Sequence, residues 1–273
     1  MLTSKKRISI VAAIFTFTMG AVHAQEKIVL GGAGSMIPVA QNLAQAFQAK
    51  NPGTNIEVLP RSMGSTAGIQ ELAAGRINVA LVARLLRPEE TSKLAYQALG
   101  RVPVVFAVNK DVPVMALKET QICDLFSGKV KSWREVGGGD QAVSVLTRNE
   151  DDGTKEAVRK NVACFKDLKE SADASVLVRS PAMVSGLRTQ PGTIGMTELN
   201  TVGSAGGAFK AVALDGVVAS AETVRSGKYK LVKDYGFATT GAPQGLARRF
   251  LEFANSPEVQ KLLAEDGIVT KAR

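Results

Sequence analysis

The hydrophobic positions change period repeatedly along the chain, and each change marks an element. Ile28-Val29-Leu30 is a short apolar run ending in Gly31-Gly32, the form of a buried strand. Val39, Leu43, Ala44 and Phe47 then recur at helical spacing, which predicts a helix stopped by Asn51-Pro52-Gly53. Residues 55–59 alternate as a strand does, and Ile69, Leu72 and Ala73 share one face of a helix over 66–74. Residues 77–83 and 102–108 are nearly continuous apolar runs, expected of strands covered on both faces. Further on, the pattern predicts helices over 121–126 and 155–165 and strands over 143–146, 175–178 and 193–196. A glycine-rich loop covers 203–207. Two helical runs, 244–254 and 257–265, close the chain, with Pro257 where a helix should start. Strands alternating with helices predict an α/β fold with largely parallel sheets. There is no internal repeat and no low-complexity linker. If the chain forms two lobes, the crossings between them are short, near 101–104 and 229–235.

Composition narrows the class. The chain has 273 residues, of which 45% are hydrophobic and 22% charged, a balance that excludes wholesale disorder. Such a length fits one large domain or two modest ones. At the N-terminus, Lys5-Lys6-Arg7, an apolar run over 8–19 and Val22-His23-Ala24 have the form of a secretory signal cleaved after Ala24. The run is shorter than the roughly 20 residues a spanning helix needs. Removing residues 1–24 leaves 249 residues and takes the formal charge from +9 to +6. It also removes His23, the single histidine, and with it every Ser-His or Cys-His nucleophile and the commonest transition-metal ligand. The expected mature protein is exported. Its two cysteines, Cys123 and Cys164, lie 41 positions apart, which is no CxxC redox or zinc pair. A structural disulfide is expected; two buried thiols on neighbouring helices are the alternative.

Three turns rich in small or polar residues precede predicted helices: Gly34-Ser35-Met36-Ile37-Pro38, Gly64-Ser65-Thr66-Ala67-Gly68 and Arg148-Asn149-Glu150-Asp151-Asp152-Gly153-Thr154. A helix start exposes unpaired N–H groups and the positive end of the peptide dipole. Small residues let an anion approach those groups, hydroxyls add donors, and Arg148 adds a charged fork. Ser, Thr and Asp are also ordinary N-caps, so one such turn says little. Three in one chain, one carrying an arginine, point to an anion site. Their spacing leaves open whether they converge.

These residues resemble the phosphate-type substrate-binding proteins of bacterial ABC importers. Gly32-Ala33-Gly34-Ser35-Met36-Ile37-Pro38 is similar to that family's first anion loop. Gly64-Ser65-Thr66-Ala67-Gly68-Ile69, followed by Leu72 and Gly75, is similar to the second. Gln121-Ile122-Cys123-Asp124-Leu125-Phe126-Ser127-Gly128-Lys129 and Trp133-Arg134-Glu135-Val136-Gly137-Gly138 resemble a signature of its second lobe. Pro191-Gly192-Thr193-Ile194-Gly195-Met196 and Phe253-Ala254-Asn255-Ser256-Pro257-Glu258 resemble later blocks. The resemblance implies a periplasmic binding protein of type II form, two α/β lobes joined by two crossover strands with an oxyanion in the cleft. It places lobe 1 over 25–103 plus 233–273 and lobe 2 over 104–232, after a signal peptide at 1–24. Ser35, the Met36 backbone N–H and Ser65 would donate from the first lobe, with Arg84 beside them. Arg148, Gly153 and Thr154 would grip from the second. A monomer is implied, with inorganic phosphate or a related oxyanion as ligand, an inner-membrane ABC permease as partner, and no cofactor or metal.

Two departures matter. The family's third loop usually reads Arg-x-x-x-Ser-Gly-Thr, and here Asp152 stands at the serine. The strand after the second loop usually ends in Ser followed by Arg or Asp, and here it reads Ala83-Arg84. A carboxylate about 4 Å from an anion repels it by roughly 4 kcal/mol at an effective dielectric of 20. A protonated phosphate oxygen, however, can donate a hydrogen bond to that carboxylate. With Arg84 and Arg148, the site would stand at +1 and favour phosphate over sulfate, which carries no proton at neutral pH. In the simpler reading, Asp152 only caps the helix at Gly153 and pairs with Arg148.

Other residues carry less. Trp133 reads as core, Arg61 as a solvated surface charge, and Lys155 as part of a solvated helix face. Catalysis finds little support: GxSxG and SxxK are absent, and Gly128-Lys129 and Gly227-Lys228 lack the upstream glycine of a P-loop. The sequence pI near 9.6 raises nucleic acid as a partner, but there is no basic run and aromatics are few. An exported sensor or interaction protein on the same scaffold, with altered or lost anion binding, is the alternative from another class.

Overall fold

A computed structural model describes residues 26–265 and 267–270, so the expected signal segment and His23 lie outside the described residues. The first part of the chain forms β1 (Glu26–Gly32), α1 (Ile37–Lys50), β2 (Thr54–Val58), α2 (Gly64–Ala73), β3 (Val79–Val82), α3 (Pro88–Thr91) and the long β4 (Ala95–Asn109). There follow β5 (Ala116–Leu117), α4 (Glu119–Phe126), β6 (Ser144–Thr147), α5 (Gly153–Asn161), β7 (Ser175–Val176), α6 (Ser180–Thr189) and β8 (Thr193–Glu198). The last are α7 (Leu199–Gly203), β9 (Phe209–Ala211), β10 (Ala213–Leu214), α8 (Ala221–Arg225), β11 (Val232–Thr239), α9 (Gly245–Ala254) and α10 (Pro257–Glu265).

The strands build a mixed sheet ordered β2-β1-β3-β11-β4-β8-β6-β7, with β9 also pairing β4. β1 runs parallel to β2 and β3, and β6 runs parallel to β7 and β8. Where β4 and β11 join the two halves, the pairing is antiparallel. The sheet is therefore less parallel than the sequence pattern predicts. A short apolar strand reads the same in either direction.

Two α/β lobes result, joined by crossover strands. One core draws on side chains from Ile28 to Val102 and from Tyr235 to Ile268. The other draws on Val104 to Leu231, with Val269. The handover falls at Pro103, which pairs with Val232, and the Val104 N–H donates to the Leu231 carbonyl at 2.9 Å. The continuous apolar run at β3 has a plain cause. Val79 and Leu81 enter the main core, while Ala80 and Val82 pack on the opposite face of the sheet. In the second lobe, Phe106, Phe126 and Phe165 meet with ring centroids 5.1–5.8 Å apart. A disulfide between Cys123 and Cys164 ties α4 to the 3-10 turn Ala163–Phe165 beside that cluster. The helix expected over 155–165 ends at Asn161, because Val162 takes an extended backbone before that turn.

Candidate functional site

The three small-residue turns follow the ends of β1, β2 and β6 and open α1, α2 and α5. In an α/β sheet this rim, at the carboxyl ends of parallel strands, is where loops gather to form a crevice. Here they face one cavity of about 240 Å³. Gly34 and Ser35 line it from the first turn, Ser62 to Ala67 with Gln70 from the second, and Arg148, Asn149, Asp152 and Gly153 from the third. Ser180 at the start of α6 and Lys233 on β11 complete the wall. Close approach is built in. The Gly32 φ is +144°, and a Cβ there would lie 2.3 Å from the Leu81 carbonyl oxygen. At Gly153 a Cβ would lie 2.5 Å from the Ala83 carbonyl oxygen, so the two lobes nearly touch at that glycine.

Hydrogen-bond accounting shows what the lining offers. The Ser65 hydroxyl oxygen accepts from the Ala83 N–H at 3.0 Å, which leaves its own proton to donate. Gly153 is the first helical residue, whose N–H has no partner within its helix. Arg148 is only 4% exposed. Its Nη2 donates to Asp152 Oδ2 at 2.5 Å and lies 3.5 Å from the Ser180 hydroxyl. Its Nη1 is buried with no protein partner. A buried guanidinium nitrogen without an acceptor costs free energy unless something supplies one. Asn149 Oδ1 is likewise buried and unpartnered.

Asp152 both caps and lines. Its Oδ1 accepts from the N–H groups of Thr154 at 2.9 Å and Lys155 at 3.3 Å. Burial works against its charge, but the hydrogen bond and charge of Arg148, with Lys233 and the Thr154 N–H, hold the carboxyl below the usual range. It is thus an ionised acceptor at neutral pH.

Lys233 is a site residue that the sequence reading missed. Its ammonium is buried beneath the cavity and pairs with the buried carboxylate of Glu198. It also donates to Thr154 Oγ1 at 2.9 Å and to Ser35 Oγ at 3.2 Å. Burial pushes the Glu198 carboxyl up, yet Lys233 and the Thr154 hydroxyl outweigh it, and the net shift is downward. The signal available in the sequence is the adjacent charged pair Lys233-Asp234 at the start of a strand whose continuation, Tyr235 to Ala238, is apolar.

Three expected ligand contacts do not line the cavity. Arg84 is buried in a separate cavity beyond Gly153 and Lys233. Both its terminal nitrogens bond Glu90, at 2.7 and 2.8 Å, because the turn at Pro88 returns that carboxylate to it. The Met36 N–H donates to the Ala33 carbonyl inside its own 3-10 turn. Thr154 is turned inward: its N–H goes to Asp152 and its hydroxyl donates to Glu198 Oε1 at 2.8 Å. With Arg84 absent and Lys233 and Glu198 present, the formal charges of the two ion pairs around the cavity cancel, against the +1 expected. Lys155 is also a correction. It is fully buried, bonded to Thr147 and Glu170, rather than on a solvated face. Trp133 lies in the core with its indole N–H on the Gly192 carbonyl, and Arg61 is exposed. Among the described residues no cluster could hold a metal ion, and no helix is long and apolar enough to cross a membrane.

Comparison with known proteins places this architecture. A family model described as the PBP superfamily domain matches residues 20–258. The chain belongs to the PBP superfamily. The phosphate-binding protein PstS of Bacillus subtilis is 26% identical over 250 residues, covering 90% of this chain and 81% of that one. The PstS of Borreliella burgdorferi is 22% identical over 258 residues, covering 89% and 90%. Among solved structures, one from Clostridium perfringens, assigned as a phosphate ABC transporter substrate-binding protein and holding bound phosphate, superposes with a TM-score of 0.82 at 26% identity. It covers 90% of this chain and 100% of its own. A phosphate transport receptor from Vibrio cholerae shares the fold, with a TM-score of 0.67 at 22% identity over 89% and 100%.

Proposed function

We propose that this chain is an exported solute-binding protein that captures inorganic phosphate or a related oxyanion between its lobes and delivers it to the permease of an ABC importer. The observation that carries the reading is Arg148, a buried guanidinium whose Nη1 has no protein partner and which lines the cavity shared by three helix starts. Arg148 Nη1, the Ser35 and Ser65 hydroxyls and the Gly153 N–H supply the donors. The ionised Asp152 accepts a hydrogen bond from a protonated ligand oxygen. The lobes are 25–103 plus 233–273 and 104–232, and binding stabilises their closed arrangement through contacts from both. The protein works as a monomer, without cofactor and without catalysis. The names of the relatives support the ligand class and the importer.

A second reading has one observation in its favour. Asp152 already takes up Arg148 Nη2 and the Thr154 N–H, groups an anion would otherwise use. An exported sensor on this scaffold, with weak or altered anion binding, would carry that feature.

Thermal melting of ligand-stripped protein separates the two. A bound ligand raises stability by about 4 kcal/mol at a thousand times its Kd. Millimolar phosphate is expected to raise Tm by several degrees in the wild type and not in Arg148→Gln. A wild-type Tm unmoved by phosphate, sulfate or molybdate would refute the transport reading.

A further inference from the structure

Lys233 joins the lobes through three buried partners, one of which, Ser35, the proposed binding needs. It stands just past the handover at Val232, on the crossover strand. Ser35 belongs to the turn after β1, in the first lobe. Thr154 and Glu198 belong to α5 and the end of β8, in the second. All four are buried. An ammonium has three protons, and this one has three partners: the Glu198 carboxylate, Thr154 Oγ1 and Ser35 Oγ. Nothing remains to donate to a ligand, and Glu198 balances the charge. The lysine therefore has another use than direct anion contact. By donating to Ser35 Oγ it occupies an acceptor position of that hydroxyl and leaves the hydroxyl proton as the group that can reach the cavity. Tyr235 holds the same turn from below, its hydroxyl donating to the Ser35 carbonyl at 3.1 Å.

We propose that Lys233, balanced by Glu198, is a positioning residue that turns the Ser35 hydroxyl into a fixed donor and ties that donor to the opposite lobe. The proposal rests on the anion-binding reading above and assigns a role to a residue outside the three turns.

The test is a double-mutant cycle that crosses Ser35→Ala with the paired change Lys233→Met/Glu198→Gln. The pair is changed together because removing one partner leaves an uncompensated buried charge, whereas neutral replacement of both is tolerated far better. Phosphate affinity is read by calorimetry and unfolding by urea midpoint. Ser35→Ala is expected to cost about tenfold or more in affinity in the wild-type background, the loss of a hydrogen bond to a charged ligand. In the Lys233→Met/Glu198→Gln background it is expected to cost less than about twofold, because the hydroxyl is no longer aimed. Equal costs in both backgrounds would overturn the proposal. If the paired variant does not fold, Lys233→Arg carries the same cycle, since it keeps the charge and moves the donors. If the wild type takes up no phosphate, the anion-binding reading falls, and the urea midpoints decide this one. Non-additive midpoints then uphold the hold of Lys233 on Ser35, and additive midpoints overturn it.

Discussion

Replacing Asp152 by serine restores a hydroxyl at the helix start and removes a carboxylate from the cavity wall. Serine caps a helix about as well as aspartate, so the start of α5 survives. The ion pair with Arg148 does not, and breaking a buried pair costs about 3–5 kcal/mol, with the partly open carboxylate placing this one at the low end. The unliganded variant should melt lower by roughly 6–12 °C at 2–4 °C per kcal/mol. Binding moves the other way. An anion on Arg148 Nη1 sits within about 4 Å of the carboxylate, and losing that repulsion is worth roughly 4 kcal/mol at an effective dielectric of 20. Sulfate has no proton to offer Asp152 and gains the whole amount, about three decades. Phosphate gives up a hydrogen bond to a charged acceptor, about 1.5–3 kcal/mol, and gains only about one to two decades. Calorimetric titration of both anions into stripped wild type and Asp152→Ser at neutral pH reads the difference directly. Selectivity for phosphate should fall by about one to two decades. Sulfate no tighter in the variant, or both anions shifting in parallel, would refute the assignment of Asp152 as the acceptor of phosphate's hydrogen bond.

Gly153→Ala places a Cβ 2.5 Å from the Ala83 carbonyl, so the lobes are held apart. Calorimetry should show phosphate binding weakened by at least about tenfold, as expected when a donor is moved out of reach, with Tm little changed. The bridge between Cys123 and Cys164 closes a loop of 41 residues, worth about 4 kcal/mol in the loop-entropy model. Reductant should therefore lower Tm by roughly 8–16 °C in scanning calorimetry. Asp152 and Glu198 both have carboxyls held below the usual range. Their contribution is full above the ordinary carboxylate pKa of about 4 and is lost as pH falls through the lower folded values. Acid unfolding followed by circular dichroism should be less steep in Asp152→Asn than in the wild type.

The periodic parts of the fold were readable because burial on one helix face or both sheet faces leaves a pattern, as at Val39 to Phe47 and at β3. What failed was local. The helix at Ser180–Thr189 buries only Met183, Gly186 and Leu187 and has a proline as its second residue, too sparse a stripe to stand out. β11 carries the adjacent charges Lys233 and Asp234 near its start and reads as a crossing rather than a central strand. The three turns were legible because helix starts have their own chemistry. Their convergence was not, since it depends on which strands become neighbours. Arg84 followed the motif and still left the site, because Glu90 offered a bidentate partner nearby. Lys233 escaped notice because its partners, Ser35, Thr154 and Glu198, come from distant segments and only the fold assembles them.

The crystal structure of the phosphate-soaked wild type tests the central claim most directly. The account predicts one phosphate between the lobes, within hydrogen-bond distance of Arg148 Nη1, Ser35 Oγ, Ser65 Oγ and the Gly153 N–H, with one oxygen against Asp152. Phosphate bound elsewhere, or a cleft that stays without it while Arg148 keeps only Asp152, would contradict it.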